Sequence, residues 1–197
     1  MSEMKYCICC GEDVPCHTVI RNEREEVICS NCGFPLEVKE SWSDDSKNDI
    51  AYVAEDSDTV RNIIVKMLKD KGLVDKVVAC KNGAELLKAV TDELKEKLVD
   101  NREPHSGFAI IDLNMPIMDG LTAARSIRSL EENYKIERMP IIFFSSIVAN
   151  EKIRSLLNSL DPAVYINKGK TPNQDLLILR VETLLKYIGD KYLNKAA

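Results

Sequence analysis

Five short apolar runs alternate along the chain with segments whose apolar residues recur at helical spacing. The runs occupy residues 50–54, 77–80, 108–111, 140–144 and 163–166. Continuous apolar runs bounded by turn signals are typical of strands buried on both faces of a parallel sheet. With right-handed crossovers, this alternation predicts an α/β fold, a doubly wound five-stranded parallel sheet flanked by helices.

The helices are predicted from apolar residues that recur every three or four positions. Ser57 or Asp58 can cap the first helix, which we expect to end before Gly72. Asn82 and Gly83 indicate a turn before a second helix that reaches about residue 100. Its predicted core-facing residues are Leu87, Val90, Leu94 and Leu98. Three further helices are expected near residues 121–130, 153–160 and 173–192.

Polar side chains stand where four of the apolar runs end. Glu55 and Asp56 follow the first run, Asp112 follows the third, and Ser145 and Lys168 end the last two. Because ligands bind outside the carboxyl ends of parallel strands, we expect these groups to gather at one sheet edge. Three clustered carboxylates require a cation, and an all-oxygen site with few ligands suits Mg²⁺. Asp112 could then act as a nucleophile towards a phosphoryl group, whose oxygens Lys168 and Ser145 would neutralise and orient.

The segment Asp112-x-Asn-Met-Pro116-x-Met-Asp-Gly120 resembles the phosphoacceptor strand and loop of two-component response regulators, of the chemotaxis-regulator type. The resemblance extends over about residues 49–192 and implies the flavodoxin-like fold of a receiver domain. It implies that Asp112 is the phosphoacceptor and that Glu55 and Asp56 hold Mg²⁺ together with it. The backbone carbonyl of Asn114 is implied as a further metal ligand.

The same resemblance assigns roles near the last two strands. Ser145 takes the Ser/Thr position of the family, Lys168 takes its lysine position, and Tyr165 takes the position of the switch aromatic. Phosphorylation of Asp112 is then expected to recruit Ser145 and Lys168 and to let Tyr165 turn inward, a shift between two packings. Gly169 departs from the family, which usually carries proline there.

The resemblance implies a response regulator that takes a phosphoryl group from a histidine kinase or a phosphotransfer protein and switches its protein–protein contacts. Such a protein is no enzyme towards other substrates, because it catalyses only its own phosphorylation and dephosphorylation. The expected downstream partner is a protein that the sequence does not name, and homodimerisation through the last helices is a further hypothesis. We expect no separate C-terminal output domain.

Two alternative interpretations use the same fold differently. A pseudo-receiver would use the same fold only as a binding platform; the complete set of site residues argues against it, and absence of Mg²⁺ binding would favour it. A phosphatase or hydrolase of related fold would need a second acid two residues after the nucleophile, where this chain has Asn114.

Six of the seven cysteines lie in the first 32 residues, and Cys80 lies apart as a small buried hydrophobe. In a reducing compartment such clustering indicates metal binding, not disulfides. Two C-x₂-C-G motifs are present, formed by Cys7 with Cys10 and by Cys29 with Cys32. Four thiolates at this spacing satisfy tetrahedral Zn²⁺ with no open position, so we predict a structural site in a segment that resembles a zinc ribbon.

Some of the ligand assignment stays open at this point. Cys9 makes it ambiguous by one residue, although the standard spacing favours Cys7 with Cys10. Cys16 and His17 are expected to be ordinary residues of a hairpin between the two motifs. Residues 1–40 carry four Lys/Arg against eight Asp/Glu, a net charge of −4. Phosphate binding needs a basic footprint, so a ribbon that binds nucleic acid is a weaker alternative than one that docks a protein.

The predicted organisation is a zinc-ribbon-like domain at residues 1–38, a polar linker at 39–48 and a receiver domain at 49–197. The composition, 45% apolar and 30% charged, is ordinary for a globular protein. No apolar run approaches the roughly 20 residues of a membrane helix, and no signal-peptide pattern is present. We therefore expect a cytoplasmic protein with no membrane partner.

Overall fold

The computed structural model describes residues 4–7, 10, 12–21, 24–31, 35–37, 48–100, 107–147, 155–157, 159–168, 177–178, 180–182 and 184. The chain divides into two compact units, Met1–Ser46 with Ile166–Ala197 and Lys47–Tyr165. The predicted domain boundaries stay a prediction. Among the described residues, no helix combines the length and the apolar character that a membrane span requires.

The N-terminal segment forms a four-stranded antiparallel sheet in the order β1-β2-β3-β4. Its strands are β1 (Met4–Cys7), β2 (Glu12–Arg21), β3 (Arg24–Cys29) and β4 (Pro35–Glu37). Strands β2 and β3 form the hairpin expected between the cysteine motifs, with Thr18 opposite Val27 and Cys16 opposite Cys29. The sheet extends beyond that hairpin because β1 pairs with β2, and β4 pairs with β3.

A second, five-stranded sheet has the order β6-β5-β7-β8-β9. Its strands are β5 (Asn48–Ala54), β6 (Val74–Cys80), β7 (Gly107–Ile111), β8 (Ile141–Ser145) and β9 (Ala163–Asn167). Strand β5 pairs in parallel with both β6 and β7, and β7 pairs in parallel with β8. Every residue of β7 and β8 is buried, as expected for strands covered on both faces. The predicted doubly wound parallel sheet is confirmed.

Within the described parts of the chain, the strands are connected by the helices α1 (Asp58–Asp70), α2 (Gly83–Val99) and α3 (Gly120–Tyr134). The side chains of Ser57, Asn82 and Asp119 cap their first turns. Asn82 therefore begins a helix directly, where the sequence indicated a separate turn. Residues 155–157, 159, 177–178, 180–182 and 184 are also helical. Much of the last two predicted helices lies outside the described residues.

The buried face of α2 ends differently from the prediction. Lys97 is only 4% exposed, whereas Leu98, which we expected to face the core, is 42% exposed. The other large buried side chains of the helix are Leu86, Val90 and Leu94. Because a turn has 3.6 residues, a buried face continues after Leu94 either three residues on, at Lys97, or four residues on, at Leu98. Here the aliphatic stem of Lys97 covers that position.

A buried ion pair on α3 lies beside the amino ends of β8 and β9. Arg128 and Glu131 are 5% and 1% exposed, and Nη1 of the arginine lies 2.7 Å from Oε2 of the glutamate. Arg128 also donates to the carbonyl groups of Met139, Leu160 and Pro162. Because these carbonyls directly precede β8 or β9, the pair fixes where both strands begin.

Candidate functional site

Main-chain hydrogen bonds bring the carboxyl ends of three strands to one edge of the parallel sheet. The Glu55 N–H donates to the Cys80 carbonyl at 3.0 Å, and the Asp112 N–H donates to the Ala54 carbonyl at 2.8 Å. The carboxylates that follow β5 and β7 therefore meet. One oxygen from each of Glu55, Asp56 and Asp112 lies within 4.8 Å of the other two. We call these three residues the acidic cluster.

The acidic cluster is half enclosed by the protein. Glu55 is 2% exposed and Asp112 is 7% exposed, whereas Asp56 faces solvent. Carboxylates held this closely repel one another, and burial strengthens the repulsion, so the arrangement favours a bound cation. The donors are all oxygen and one side is open to the waters that Mg²⁺ retains. These residues fit Mg²⁺.

Two glycines let the neighbouring helices begin directly against the loop that follows Asp112. The Gly120 N–H donates to the Leu113 carbonyl at 3.0 Å, and a Cβ on Gly120 would lie 2.1 Å from the Asp112 carbonyl oxygen. The Gly83 N–H donates to the Met118 carbonyl at 3.0 Å, and a Cβ there would lie 2.6 Å from that oxygen. Both positions therefore exclude a larger side chain.

The middle of this loop is a three-residue γ-turn followed by a helix cap. The Met118 N–H donates to the Pro116 carbonyl at 2.7 Å, and Ile117 between them has φ 69° and is 85% exposed. Asp119 then accepts the Thr122 N–H at 2.8 Å. Burial pushes the pKa of Asp119 upward, but the hydrogen bonds from Thr122 outweigh it and hold the pKa below its usual value.

Of the two predicted switch residues, Ser145 ends β8, and Tyr165 lies on β9 with its hydroxyl near the end of β8. The Ser145 side chain is 1% exposed, and no described residue offers its hydroxyl a hydrogen-bond partner. The Tyr165 hydroxyl donates to the Ile147 carbonyl and lies 3.4 Å from the Ser145 carbonyl oxygen. Tyr165 is therefore tied to the main chain that follows β8. The switching roles of Ser145 and Tyr165 stay predictions.

The roles of two further residues predicted for the acidic site, Lys168 and Asn114, stay predictions. Lys168 follows β9, and its main-chain carbonyl accepts a hydrogen bond from Arg180. Lys168 falls in the compact unit that does not contain Asp112, so its role towards a phosphoryl group stays a prediction. Asn114 is exposed in the loop, and its carbonyl as a metal ligand also stays a prediction. Gly169 lies outside the described residues.

The N-terminal sheet brings three of the four predicted zinc ligands together. The Sγ atoms of Cys7, Cys10 and Cys29 lie within 4.8 Å of one another, and those of Cys10 and Cys29 are 3.7 Å apart. The Cys10 N–H points at the Cys7 sulfur, with a distance of 3.4 Å. We call these three residues the thiol cluster. Cys32 and Cys9 lie outside the described residues, so the fourth ligand stays a prediction.

The two remaining candidates in the hairpin have other neighbours. Cys16 is buried on β2 directly opposite Cys29, and it is not one of the three residues of the thiol cluster. The ring Nδ1 of His17 lies 2.9 Å from the Ser30 hydroxyl on the exposed side.

Cys80 is buried at the end of β6, and burial raises the pKa of its thiol to about 11, with Glu85 adding to the effect.

Sequence analysis did not single out Arg61, although it contacts the acidic turn. Its side chain is 6% exposed, and Nη1 donates to the Glu55 carbonyl at 2.7 Å and to the Asp56 carbonyl at 3.4 Å. A signal was present, because Arg61 lies on the same helical face as the buried Ile64 and Leu68. An arginine on a core-facing stripe needs polar partners.

A doubly wound parallel sheet with three carboxylates at its carboxyl edge places the chain in the class of α/β domains with a candidate metal site. The chain belongs to the response regulator receiver domain family, whose model matches residues 51–179. It therefore carries a receiver domain of two-component signalling.

The curated relatives share only this part of their length. The chain is 33% identical over 104 residues to a protein-glutamate methylesterase/protein-glutamine glutaminase of Methanococcoides burtonii, covering 53% of this chain and 25% of that protein. It is 36% identical over 95 residues to histidine kinase CKI1 of Arabidopsis thaliana, covering 47% of this chain and 8% of that protein. The chain thus spans a quarter or less of these relatives.

Solved receiver domains share the fold. The receiver domain of Arabidopsis thaliana CKI1, solved with Mg²⁺ and BeF₃⁻, is 26% identical with a TM-score of 0.56, covering 70% of this chain and 91% of that one. A receiver domain from Rhodospirillum rubrum is 18% identical with a TM-score of 0.58, covering 73% of this chain and 96% of that one. The second likeness concerns the fold alone.

Proposed function

We propose that this chain is a response regulator that accepts a phosphoryl group on Asp112, with Mg²⁺ held by Glu55, Asp56 and Asp112. The observation that carries the proposal is the acidic cluster, whose oxygens lie within 4.8 Å of one another at the carboxyl edge of the sheet. The CKI1 receiver domain, solved with Mg²⁺, supports the choice of metal.

The reaction requires one bond to form and one to break. A carboxylate oxygen of Asp112 attacks the phosphorus of a phosphohistidine on a kinase or phosphotransfer protein. The P–O bond forms, the P–N bond breaks, and the imidazole nitrogen keeps the electron pair and takes up a proton. Mg²⁺, when bound, offsets the negative charge of the carboxylates and of the phosphoryl oxygens. Glu55 and Asp56 hold their oxygens towards Asp112.

Two residues then respond to the new charge. The buried Ser145 hydroxyl turns to a phosphoryl oxygen, and the Lys168 ammonium pairs with the phosphoryl group. Movement of the main chain at Ser145 changes the carbonyl groups that Tyr165 contacts, so the aromatic ring moves and the exposed face changes. The readout is a change in binding to a partner protein.

Intact-mass spectrometry with acetyl phosphate and Mg²⁺ tests the acceptor. The parent should gain one phosphoryl group, and Asp112→Asn should gain none. Asp119→Asn is the matched control, because it removes an acid from the same loop and keeps a helix cap, so it should be modified like the parent. Modification of Asp112→Asn at the parent rate would overturn the assignment, as would an unmodified parent that binds Mg²⁺.

We further propose that the thiol cluster and Cys32 hold one structural Zn²⁺. Sulfur atoms within 4.8 Å of one another suit a tetrahedral thiolate site, and the Cys10 N–H aimed at the Cys7 sulfur supports its charge. Such a site has no open position for catalysis, so the metal would stabilise the four-stranded sheet.

Native mass spectrometry of the purified chain tests this site. One zinc per chain is expected for the parent, and none for Cys29→Ser or Cys32→Ser. Cys16→Ser is the control, because Cys16 faces Cys29 without joining the thiol cluster, and it should retain the metal. Loss of zinc from Cys16→Ser with retention in Cys32→Ser would assign the fourth ligand to Cys16.

The remaining expectations belong to this proposal. The chain would catalyse only its own phosphorylation and dephosphorylation, in the cytoplasm, and its partners would be a phosphodonor and a downstream protein. Homodimerisation through the last helices stays a hypothesis, because much of them lies outside the described residues. Salt-dependent binding of DNA or RNA would instead favour the nucleic-acid alternative.

A further inference from the structure

Arg61 is buried beside the acidic cluster, although it contributes no carboxylate to it. It lies in the first turn of α1, and its N–H donates to the Ser57 carbonyl at 2.9 Å. Its guanidinium is buried beneath the turn that carries two members of the acidic cluster. We propose that Arg61 is a positioning residue for the Mg²⁺ site: it holds the main chain of Glu55 and Asp56 so that both carboxylates face Asp112. This inference rests on the proposed function.

The hydrogen bonds explain how one side chain can fix this turn. Nη1 of Arg61 reaches two consecutive carbonyl oxygens, those of Glu55 at 2.7 Å and Asp56 at 3.4 Å. On the other side of the turn, the Ser57 N–H donates to Oε1 of Glu55 at 3.2 Å. Main chain and carboxylate are thus held from both sides. Without the guanidinium, the buried Glu55 carbonyl loses this partner, and the turn is free to rotate.

The charge of Arg61 would work against a nearby cation if nothing balanced it. Its Nη2 pairs with the Asp58 carboxylate, and its Nη1 points at carbonyl dipoles. The side chain therefore acts on the metal site through the main chain and does not supply a ligand. A planar guanidinium suits this task, because it presents several donors in a fixed geometry that an ammonium group does not match.

Arg128 provides a matched comparison within the same unit. It is also a buried arginine that donates to main-chain carbonyls, but its partners precede β8 and β9 at the opposite edge of the sheet. Substitution of either arginine by glutamine removes a buried charge and several hydrogen bonds. Only the substitution at Arg61 should change the affinity for Mg²⁺.

The test is isothermal titration with MgCl₂ on the parent, Arg61→Gln, Arg61→Lys and Arg128→Gln, each first checked for a cooperative thermal transition. Arg61→Gln should bind Mg²⁺ about tenfold more weakly or worse, as residues that orient metal ligands typically do when lost. Arg61→Lys should fall between Arg61→Gln and the parent. Arg128→Gln should lose thermal stability and keep the parent affinity. If Arg61→Gln fails to fold, Arg61→Lys decides the result.

A second readout separates positioning from loss of structure. At saturating MgCl₂, Arg61→Gln should regain most of its modification by acetyl phosphate, whereas Asp112→Asn should regain none. An affinity within roughly twofold of the parent in a folded Arg61 variant would overturn the inference. Tighter binding would also overturn it, because the guanidinium would then act only as a like charge. A parent that binds no Mg²⁺ would refute the proposed function itself.

Discussion

The thiol cluster and the acidic cluster are the two candidate metal sites among the described residues, and they differ in the apolar core that surrounds them. The parallel sheet brings its own apolar core, which includes the fully buried Tyr52, Phe108 and Phe143. In the four-stranded sheet, the buried apolar residues among those described are Cys7, Val14, Cys16, Ile28 and Cys29. Cysteines thus make up most of that small interior.

This difference determines what each metal does for the protein. The strands of the receiver domain hold the acidic cluster in place through packing and main-chain hydrogen bonds, which do not depend on a metal. If the thiol cluster binds zinc as proposed, the metal would take the place of a larger apolar core and would supply much of the folding free energy of the four-stranded sheet. The proposed Mg²⁺ would bind to a fold that is already complete, whereas the proposed Zn²⁺ would complete one.

Removal of zinc should have the largest effect. A strong chelator should unfold the ribbon, because structural Zn²⁺ contributes roughly 10 kcal/mol or more to such small domains at neutral pH. Hydrogen exchange is the measurement: the amides of β2 and β3 should lose protection, while those of β5 and β7 should keep it. Retained protection in β2 and β3 would show that the ribbon folds without metal.

Gly120→Ala should be the most harmful small change in the receiver domain. The new Cβ would lie 2.1 Å from the Asp112 carbonyl oxygen, and a main-chain atom cannot move aside cheaply. We expect a loss of about 3 kcal/mol in the free energy of unfolding, measured in urea. Gly72→Ala is the control: its φ is 60° but nothing lies within 4 Å, so only about 1 kcal/mol should be lost. Equal losses would remove the steric explanation.

Asp112→Asn should stabilise the receiver domain in the absence of metal. In contrast, no substitution in the thiol cluster should stabilise the four-stranded sheet. It removes one charge from three mutually repelling carboxylates, so the free energy of unfolding without Mg²⁺ should rise by roughly 1 kcal/mol. Added Mg²⁺ should stabilise the variant less than the parent. Asp92→Asn, at an exposed acid paired with Lys88, should give no gain. A destabilised Asp112→Asn would show that the cluster is not strained by repulsion.

Asp119→Ala should have the smallest effect, because it removes only a helix cap. The expected loss in the free energy of unfolding is about 0.5 kcal/mol at neutral pH, at the low end for a lost cap. The pKa of Asp119 is lowered in the folded state, so its contribution is present above the unfolded pKa and is lost as the pH falls through the folded pKa. Urea unfolding should show that the difference in free energy of unfolding between the parent and Asp119→Ala is smaller at acid pH than at neutral pH. In Asp119→Asn, the asparagine side chain should still cap the helix at both pH values, because it does not titrate.

Much of the fold and the acidic cluster could be predicted because strand, turn and acid are adjacent in the sequence. Asp112 directly follows the buried run of β7, and Glu55 directly follows that of β5. Because the strands are parallel, their carboxyl ends lie at the same edge of the sheet, and both side chains are therefore found there. The thiol cluster was predictable for a similar reason, since the spacing of Cys7 and Cys10 is itself the signal.

The parts that escaped prediction depend on how a helix is rotated or on partners distant in sequence. A period of 3.6 residues does not decide between Lys97 and Leu98 as the next buried position after Leu94, because both lie near the same stripe. The position of Arg61 on a core-facing stripe indicates burial, but for neither Arg61 nor Arg128 does the sequence show which carbonyl groups the guanidinium binds. Those carbonyls belong to turns and loops whose course the sequence pattern does not define.

The order of strands in the two sheets has a consequence for how the chain folds. In the ribbon, β2 and β3 are neighbours in sequence and in space, so their pairing closes only a short loop. In the parallel sheet, β5 lies between β6 and β7, and at least one whole helix separates β5 from each of these strands in the sequence. Strand β5 can therefore pair with either of them only after that helix has been synthesised. Closing long loops slows folding because the entropy is lost before the contacts are gained. During synthesis, the four-stranded sheet can therefore form as soon as its strands and the proposed zinc are present. Strand β5 stays unpaired until β6 and β7 have been synthesised.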